Sequence, residues 1–595
     1  MNKTIQLNKR FRPEIEGLRV VAALLVAVYH IWLGRVSGGV DVFFVVSGFL
    51  ITTSIVSKYN RTGEFKFIPY VTNLIKRLFP AVITVVFAVI ILSAFFLPRT
   101  ILDKTVSEVI ASIFYYQNWQ LALSNTDYLN QEQMKTPLEH FWAMSIQGQF
   151  YLIWFLVFTL IFYLAKKPLK INGLQLVNIT LGILFILSLS YSIFLTSVNQ
   201  PWAYFDVSTR IWEFSLGGLL AVNLSRIPLN AFVGNIIGWI GLIGLLLTGV
   251  IFDVSTLFPG YIALWPMLCA VAILMSGNID TKFGVKRLLG SKPMVKIGGL
   301  SFGLYLWHWV ILSFYQYHFD NRPSIVVGVG IIIFSLVLSW LMTKYIEEPL
   351  RYMKSTVKPI LSIGIGIALN IILLYSLVFI LNINTTDIDE KNYPGALAIK
   401  YELDYEDRGP IPSFIEAKED LADSYEDKVH QHKSKGELKI GEYGELVDYQ
   451  YTVVLAGSSH SAHWLGALQQ FAKEEKIRII NITQLASRFS TSHEEGPQKE
   501  WNDNVINYLY ENKNEINLVI ATADIGLAEF PEPPEGMVEQ LNYIGDEIGI
   551  PVMAIRDNQR FGFNIVEELE KYGYEKTKEK MNEVEPISDT APWLI

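Results

Sequence analysis

Two sets of residues in this chain have types and spacing able to carry out chemistry. The first lies in VVLAGSSHSAHW, residues 453–464, where a short apolar run gives way to Gly457, Ser458, Ser459 and His460 and then to a helical stretch. A serine on a strand-to-helix turn presents its hydroxyl beside backbone N–H groups that can hold an oxyanion, so Ser459 is a candidate nucleophile. The competing reading is a serine-rich turn that only caps a helix. The second set lies within apolar stretches: His30, Asp41, Arg210, Glu213 and His308. Ionisable groups in membrane spans are costly and normally face a bundle interior or an aqueous cavity. His30 and His308 are of a type that moves a proton or receives an acyl group; either can instead be a packed histidine bonded to a backbone carbonyl. Arg210 and Glu213, three apart on one helical face, either pair with each other or act directly.

The elements that must position these residues are of two kinds. Hydrophobic residues make up 51% of the 595 and charged residues only 18%, a balance that points to a polytopic membrane protein rather than a soluble one. Apolar runs predict eleven spans near 17–35, 39–57, 80–97, 149–165, 175–196, 210–224, 232–252, 260–276, 298–316, 324–345 and 359–382. With the N-terminus in the cytoplasm, the loops carrying Lys58, Arg61, Lys66, Lys76 and Arg77, then Lys282, Lys286, Arg287, Lys292 and Lys296, then Arg351, Lys354 and Lys358 all fall on the cytoplasmic side. The opposite face receives only a few, such as Arg99, Lys104, Lys135 and Arg322. An odd number of spans then puts everything after about residue 383 outside the cell, with the chain in the plasma membrane. No cleavable signal is evident, because the first apolar run ends in His30, Trp32 and Arg35. The net charge of −8 concentrates beyond residue 385, which makes nucleic acid a poor partner. The single cysteine, Cys269, lies in an apolar run, reads as packing, and excludes an intramolecular disulfide.

Residues 384–448 read as an acidic, turn-rich connector, and 449–595 as a soluble domain. Runs YTVVLAG, IRIINI, INLVIATA and IPVMAIR alternate with helical stretches near 462–474, 501–512, 536–548 and 564–572, which predicts a doubly wound parallel sheet. Ser459 falls after its first strand, where open α/β sheets bind ligands.

The ordered series FRPEIEGLRVVAALLVAVYH (11–30), GGVDVFFVVSGFLIT (38–52), LIKRLFPA (74–81), YFDVSTRIWEFSLGGLLA (204–221), SFGLYLWHW (301–309) and YIEEPLR (345–351) resembles the acyltransferase-3 family of membrane acyltransferases over 11–352, with 358–383 as an additional span. One departure is SIQGQFY (145–151): many members carry S-x-E-E-Q-F-Y, so Gln147 and Gly148 replace a glutamate pair, while His140, Trp142 and Gln149 remain at the outer mouth of that span. Gly457 to His460 resemble the first block of SGNH-type esterases and acetyltransferases, usually G-D-S, with Ser458 at the aspartate position. That family's base is a histidine in a D-x-x-H block near the domain's end. The block is absent here, and the domain is expected to be C-terminally incomplete, the alternative being a degenerate site. His460 and His463 adjoin Ser459 on a turn expected to aim them elsewhere, and His493 reads as a solvated loop histidine. Asn481, Thr483 and Gln484 loosely match the oxyanion position after the second strand.

The fusion resembles enzymes that O-acetylate peptidoglycan or other surface glycans. The resemblance implies acetyl-CoA as donor at the cytoplasmic face, where Arg12, Arg19, Lys76 and Arg77 lie near span ends; Arg12 and Arg19, with Arg210 and Glu213, are the candidates to bind it, the alternative for the basic residues at span ends being ordinary positive-inside anchoring. It implies passage of the acetyl group near His30 and His308 to Ser459, and a surface-glycan hydroxyl as acceptor. No metal is expected. Two other classes compete: a transporter or flippase with an external glycan-binding domain, and an external esterase tethered to the membrane.

Overall fold

Pro13 opens the first helix, Pro13–Val28, at a position where its missing N–H costs nothing, and Glu14 and Glu16 occupy the electropositive first turn. The helix widens into a π-helical turn, Tyr29–Leu33, closed by the Gly34 N–H donating to the Tyr29 carbonyl at 2.7 Å, with Gly34 in the left-handed region at φ 62°. Such turns re-aim side chains and recur at functional sites; this one carries His30. The computed structural model describes residues 11–35, 37–97, 99–126, 135–166, 173–251, 258–319, 322–353, 357–382, 417, 420–493, 495–523 and 535–584. The chain divides into two units, Met1–Thr385 and Thr386–Ile595.

The first unit is a helical membrane bundle. Among the described residues, eight helices are long and apolar enough to cross a bilayer: Pro13–Leu33, Gly39–Thr62, Phe67–Phe96, Phe141–Ala165, Gly173–Val198, Ala231–Ile251, Ile325–Tyr352 and Val357–Phe379. A ninth span results if Lys292–Gly298 and Ser301–His318, bent by 62°, cross as one. The remaining two of the eleven expected segments are helices too, but short ones. Ile211–Asn223 has 13 residues and Tyr261–Ser276 is also below span length. At about 1.5 Å per residue the former reaches about 20 Å, against a hydrocarbon core of about 30 Å.

Ile211–Asn223 is instead the buried heart of the bundle. It lies against Gly39–Thr62 so closely that a β-carbon on Gly48 would stand 2.1 Å from the Phe214 carbonyl oxygen, and one on Gly217 2.0 Å from that of Val45. Small residues let the two backbones meet, as in membrane helix pairs generally. On the outside, Ile183, Phe232, Ile240, Val326 and Ile365 are exposed, as lipid-facing side chains must be.

The second unit holds a five-stranded sheet in the order β1-β3-β2-β4-β5, with β1 Gly441–Gly444, β2 Tyr451–Gly457, β3 Ile477–Thr483, β4 Leu518–Thr522 and β5 Val552–Ile555. Strands β2 to β5 coincide with the four expected runs and pair in parallel. The all-parallel expectation needs correction: β1 adds antiparallel to β3, Gly441 opposite Asn481, so the sheet is mixed. Strand β1 comes from the stretch expected to be connector, and Gln431 bridges Gln484 as well, so the part of 420–448 described here is built into the domain. Alternation along β2 sends Val454 and Ala456 to one face, with Trp501, Val505, Leu541 and Ile544, and Val453 and Leu455 to the other, with Leu465 and Ala472. Most of the expected connector, 384–416, and the terminal EPISDTAPWLI lie outside the described residues.

Candidate active site

In the bundle, the π-turn brings His30 against His308, with Nδ1 of the first 3.2 Å from Nε2 of the second. His308 is fully buried, and its Nδ1–H donates to the Leu304 carbonyl at 3.0 Å. That bond fixes the tautomer: Nε2 carries the lone pair, and His30 Nδ1–H donates to it. His308 is thus bonded to a carbonyl, as a packed histidine would be, and also turns a nitrogen lone pair to a second imidazole. His140 completes a group of three whose ring nitrogens lie within 4.8 Å of one another. Its ring stacks on Trp309 at 4.0 Å between centroids, and the Tyr305 hydroxyl donates to its carbonyl at 2.7 Å.

Asp41, Arg210 and Glu213 form a second buried cluster. Arg210 Nη1 donates to Asp41 at 2.8 Å and to Glu213 at 3.0 Å, and Nε and Nη2 donate to the Tyr204 carbonyl at 3.3 and 3.1 Å. The guanidinium also lies over the rings of Trp142 and Tyr204. Arg210 and Glu213 thus pair as their spacing allowed, with Asp41 as the added partner, and the arginine's donors are spent inside the protein. Removing one member of such a cluster leaves an uncompensated buried charge, a loss of about 3–5 kcal/mol.

A cavity of about 550 Å³ has Arg19, Arg77, Arg351, Glu16 and Glu347 in its lining, together with Ser47, Gln147, Tyr151 and Tyr305. Arg19 is bonded to Glu16 at 2.9 Å. Arg12, the other arginine expected at the donor site, is instead tied to Glu14 and the Leu274 carbonyl, each at 2.6 Å, and is absent from this lining. A smaller cavity of about 30 Å³ has His30, His140, Trp142 and Tyr204 in its wall, and Val40 and Tyr305 belong to the linings of both. Gln147, the first of the two departures from the S-x-E-E-Q-F-Y pattern, donates to Ser47 at 2.5 Å and to Tyr151 at 2.9 Å. The next position is filled by a neighbour: a β-carbon on Gly148 would stand 2.4 Å from the Tyr115 ring, so the aromatic side chain occupies space a glutamate would need.

In the second unit Ser459 opens the short helix Ser459–Ala462 directly after β2, with Ser458 as its cap. Gly457 holds φ 129°, and a β-carbon there would meet Ser461 Oγ at 2.4 Å, so the turn requires glycine. Ser461 bridges to Thr522 at the end of β4, at 3.0 Å. Ser459 is 5% exposed, and among the described residues no imidazole is hydrogen-bonded to its hydroxyl. His460 has a partner the sequence did not reveal: its Nδ1 lies 2.5 Å from Asp557 Oδ1, just beyond β5, with Arg560 Nη2 3.4 Å from its Nε2. Burial and the neighbouring His460 lower the His463 pKa. His493 Nε2–H donates to the Arg488 carbonyl. Asn481 and Gln484 spend their amide donors on Thr483 and the Lys435 carbonyl.

The pairing of His30 with His308 and the three-histidine group join residues 110 to 278 positions apart, beyond the reach of any spacing rule. The aromatic run around His308 and the polar remnant His140 were the only local signals.

No solved structure matches this chain. It is similar to the O-acetyltransferase OatA of Staphylococcus aureus strain NCTC 8325, 31% identical over 359 residues that cover 58% of this chain and 57% of that protein. It is also similar to the putative O-acetyltransferase SAS0844 of S. aureus strain MSSA476, 30% identical over 374 residues, 59% of this chain and 60% of the relative. The chain thus matches less than two thirds of the length of these relatives. The acyltransferase-domain profile matches residues 12–344, more than half of the chain, a stretch that holds the histidine group and most of the lining of the arginine-lined cavity, and the protein belongs to this acyltransferase-3 family.

Proposed function

We propose that the protein is a membrane O-acetyltransferase that takes an acetyl group from acetyl-CoA on the cytoplasmic side and delivers it to hydroxyls of a cell-surface glycan, peptidoglycan or a wall polymer. The observation that carries this reading is the 550 Å³ cavity with Arg19, Arg77 and Arg351 in its lining, which shares Val40 and Tyr305 with the small cavity at His30 and His140. Guanidinium groups suit the phosphates of a coenzyme, and the volume is that of a small-molecule site. The acetyl thioester would lie toward Tyr305, with the histidine group beyond it. His308 Nε2, basic and backed by a carbonyl, is placed to take a proton from His30 as the acyl carbon is engaged.

In this scheme Ser459 receives the acetyl group outside the membrane and passes it to the sugar, working as an SGNH-type nucleophile. The turn after β2 and the helices on both sheet faces support that reading, and the names of the relatives support acetyl as the group and O-transfer as the reaction. Arg12, Arg210 and Glu213 act in it through structure, by holding helix ends and the bundle core, and Arg19 takes the donor-binding role.

The test is transfer of labelled acetyl from acetyl-CoA, enclosed with the cytoplasmic face of membrane vesicles, to glycan on the other face. Wild type should transfer label and His30→Ala should lose transfer by about 100-fold or more at unchanged protein abundance. Unimpaired transfer by His30→Ala removes the bundle route. Transport of intact glycan without acetylation supports a flippase instead.

A further inference from the structure

We propose that His30, His140 and His308 bind one divalent transition-metal ion of the zinc class. The inference goes beyond the acyl route and does not depend on it: with the ion bound, His30 is the Nε2–H tautomer, its Nδ1 and His308 Nε2 both turn their lone pairs to the metal, and the direct proton relay between them gives way to the metal centre. A two-imidazole proton relay has no use for a third ring, yet His140 is buried beside the other two, and its Nδ1 is buried with no hydrogen-bond partner. Leaving such a nitrogen desolvated and unpaired costs about 1–3 kcal/mol, a loss that a ligand to the ring removes.

The geometry is near that of a three-histidine metal centre. Nitrogens around a tetrahedral zinc, at about 2.0–2.1 Å from the ion, stand about 3.4 Å apart. The His30 and His308 nitrogens are at 3.2 Å, and no two of the three ligand nitrogens exceed 4.8 Å, so the remaining closure is at most about 1.4 Å, within reach of side-chain rotation. The support around the rings is also of the right kind. His308 Nδ1–H donates to the Leu304 carbonyl, which aims the Nε2 lone pair inward, the outer bond that ligating histidines commonly make. His140 is held by stacking on Trp309 and by the Tyr305 hydroxyl on its carbonyl.

Chemistry selects the ion. Three neutral imidazoles without thiolate or carboxylate suit zinc, copper, nickel or ferrous iron, and not magnesium or calcium, which require oxygen ligands. Three protein ligands leave a fourth position, and the 30 Å³ cavity walled by His30 and His140 has the size for a single water or substrate oxygen there. The opposing charge is Lys135, whose ammonium lies 5.8 Å from the Trp309 ring; its side chain is 66% exposed, so solvent screens it. An ion at this place would act on an acyl carbonyl as a Lewis acid.

Full-length protein, purified in detergent through a tag free of histidine, is stripped with a chelator, reloaded with Zn²⁺ or Co²⁺ and desalted. Metal content is read by elemental mass spectrometry, and cobalt geometry by visible absorption. One zinc per chain and the intense visible bands of four-coordinate cobalt are expected. His140→Gln and the double variant H140A/H308A should weaken binding by more than the about 10- to 100-fold seen when only an outer-shell partner is lost, while His493→Ala leaves it unchanged. Helical circular dichroism and elution volume establish that each variant is folded. Two results overturn the proposal: folded wild type that retains no zinc, or zinc that H140A/H308A retains equally. Acetyl transfer is measured separately on the same samples. A metal-binding protein without transfer leaves this site standing and counts against the acetyltransferase reading.

Discussion

At the scale of single residues, partners decide what each titratable group can do. His430 shows this in the second unit: its Nδ1 meets Thr483 Oγ1 at 2.9 Å, its ring stacks on Tyr425, and its Nε2 is buried without a partner. Burial pushes its pKa from 6.5 down to about 4. Between those values the unfolded chain takes up a proton that the folded domain refuses, so stability is full above pH 6.5 and falls as pH drops toward 4. At about 1.4 kcal/mol per unit the loss is about 3 kcal/mol. The unfolding midpoint of the second unit in the full chain should therefore fall between pH 6.5 and 4, and His430→Phe, which keeps the stacking and removes the titration, should flatten that part of the curve. An unaltered slope in the variant would assign the acid sensitivity to other groups.

At the scale of elements, the tight seam between Gly39–Thr62 and Ile211–Asn223 rests on glycines whose replacement has a definite outcome. A methyl on Gly48 would collide with the Phe214 backbone, which cannot rotate away, so Gly48→Ala should lower the thermal midpoint in detergent by the equivalent of about 1–3 kcal/mol. Gly330 has no atom within 4 Å of an added β-carbon, and Gly330→Ala should leave the midpoint unchanged. Alanine favours helix over glycine, so propensity opposes any loss, and an equal loss at Gly330 would mean that the close backbone approach at the seam is not its cause. Long apolar runs and strands β2 to β5 were legible because their periodicity is strong and local. Strand β1 was not: GEYG has no β-branched residue and becomes a strand only because the edge of β3 is there to pair with it. The chemistry divided in the same way. The cost of burying charge marked His30, Asp41, Arg210, Glu213 and His308, whereas the choice of partners, such as Asp557 for His460 across 97 positions, depends on loops that converge only in the folded domain.

For the whole molecule, the side of the membrane on which the second unit lies turns on a single element. Among the described residues eight helices are long enough to span by themselves, and the bent pair Lys292–Gly298 with Ser301–His318 supplies a ninth if it crosses. The count keeps its parity provided that the two short helices, Ile211–Asn223 and Tyr261–Ser276, share one fate, both crossing or both staying within the bundle. The basic segments favour crossing: Lys282, Lys286, Arg287, Lys292 and Lys296 precede or begin the bent pair, while the stretch after His318 carries Arg322 alone before the next span. Residues beyond Thr385 are then expected outside. A reporter active only in the cytoplasm should be silent when fused after Thr385 and active when fused after Lys282. Activity at both places would make the bent pair re-entrant, leave an even number of spans, and put Ser459 on the same side as the acetyl-CoA pool, which removes any need for an acetyl group to pass the histidines.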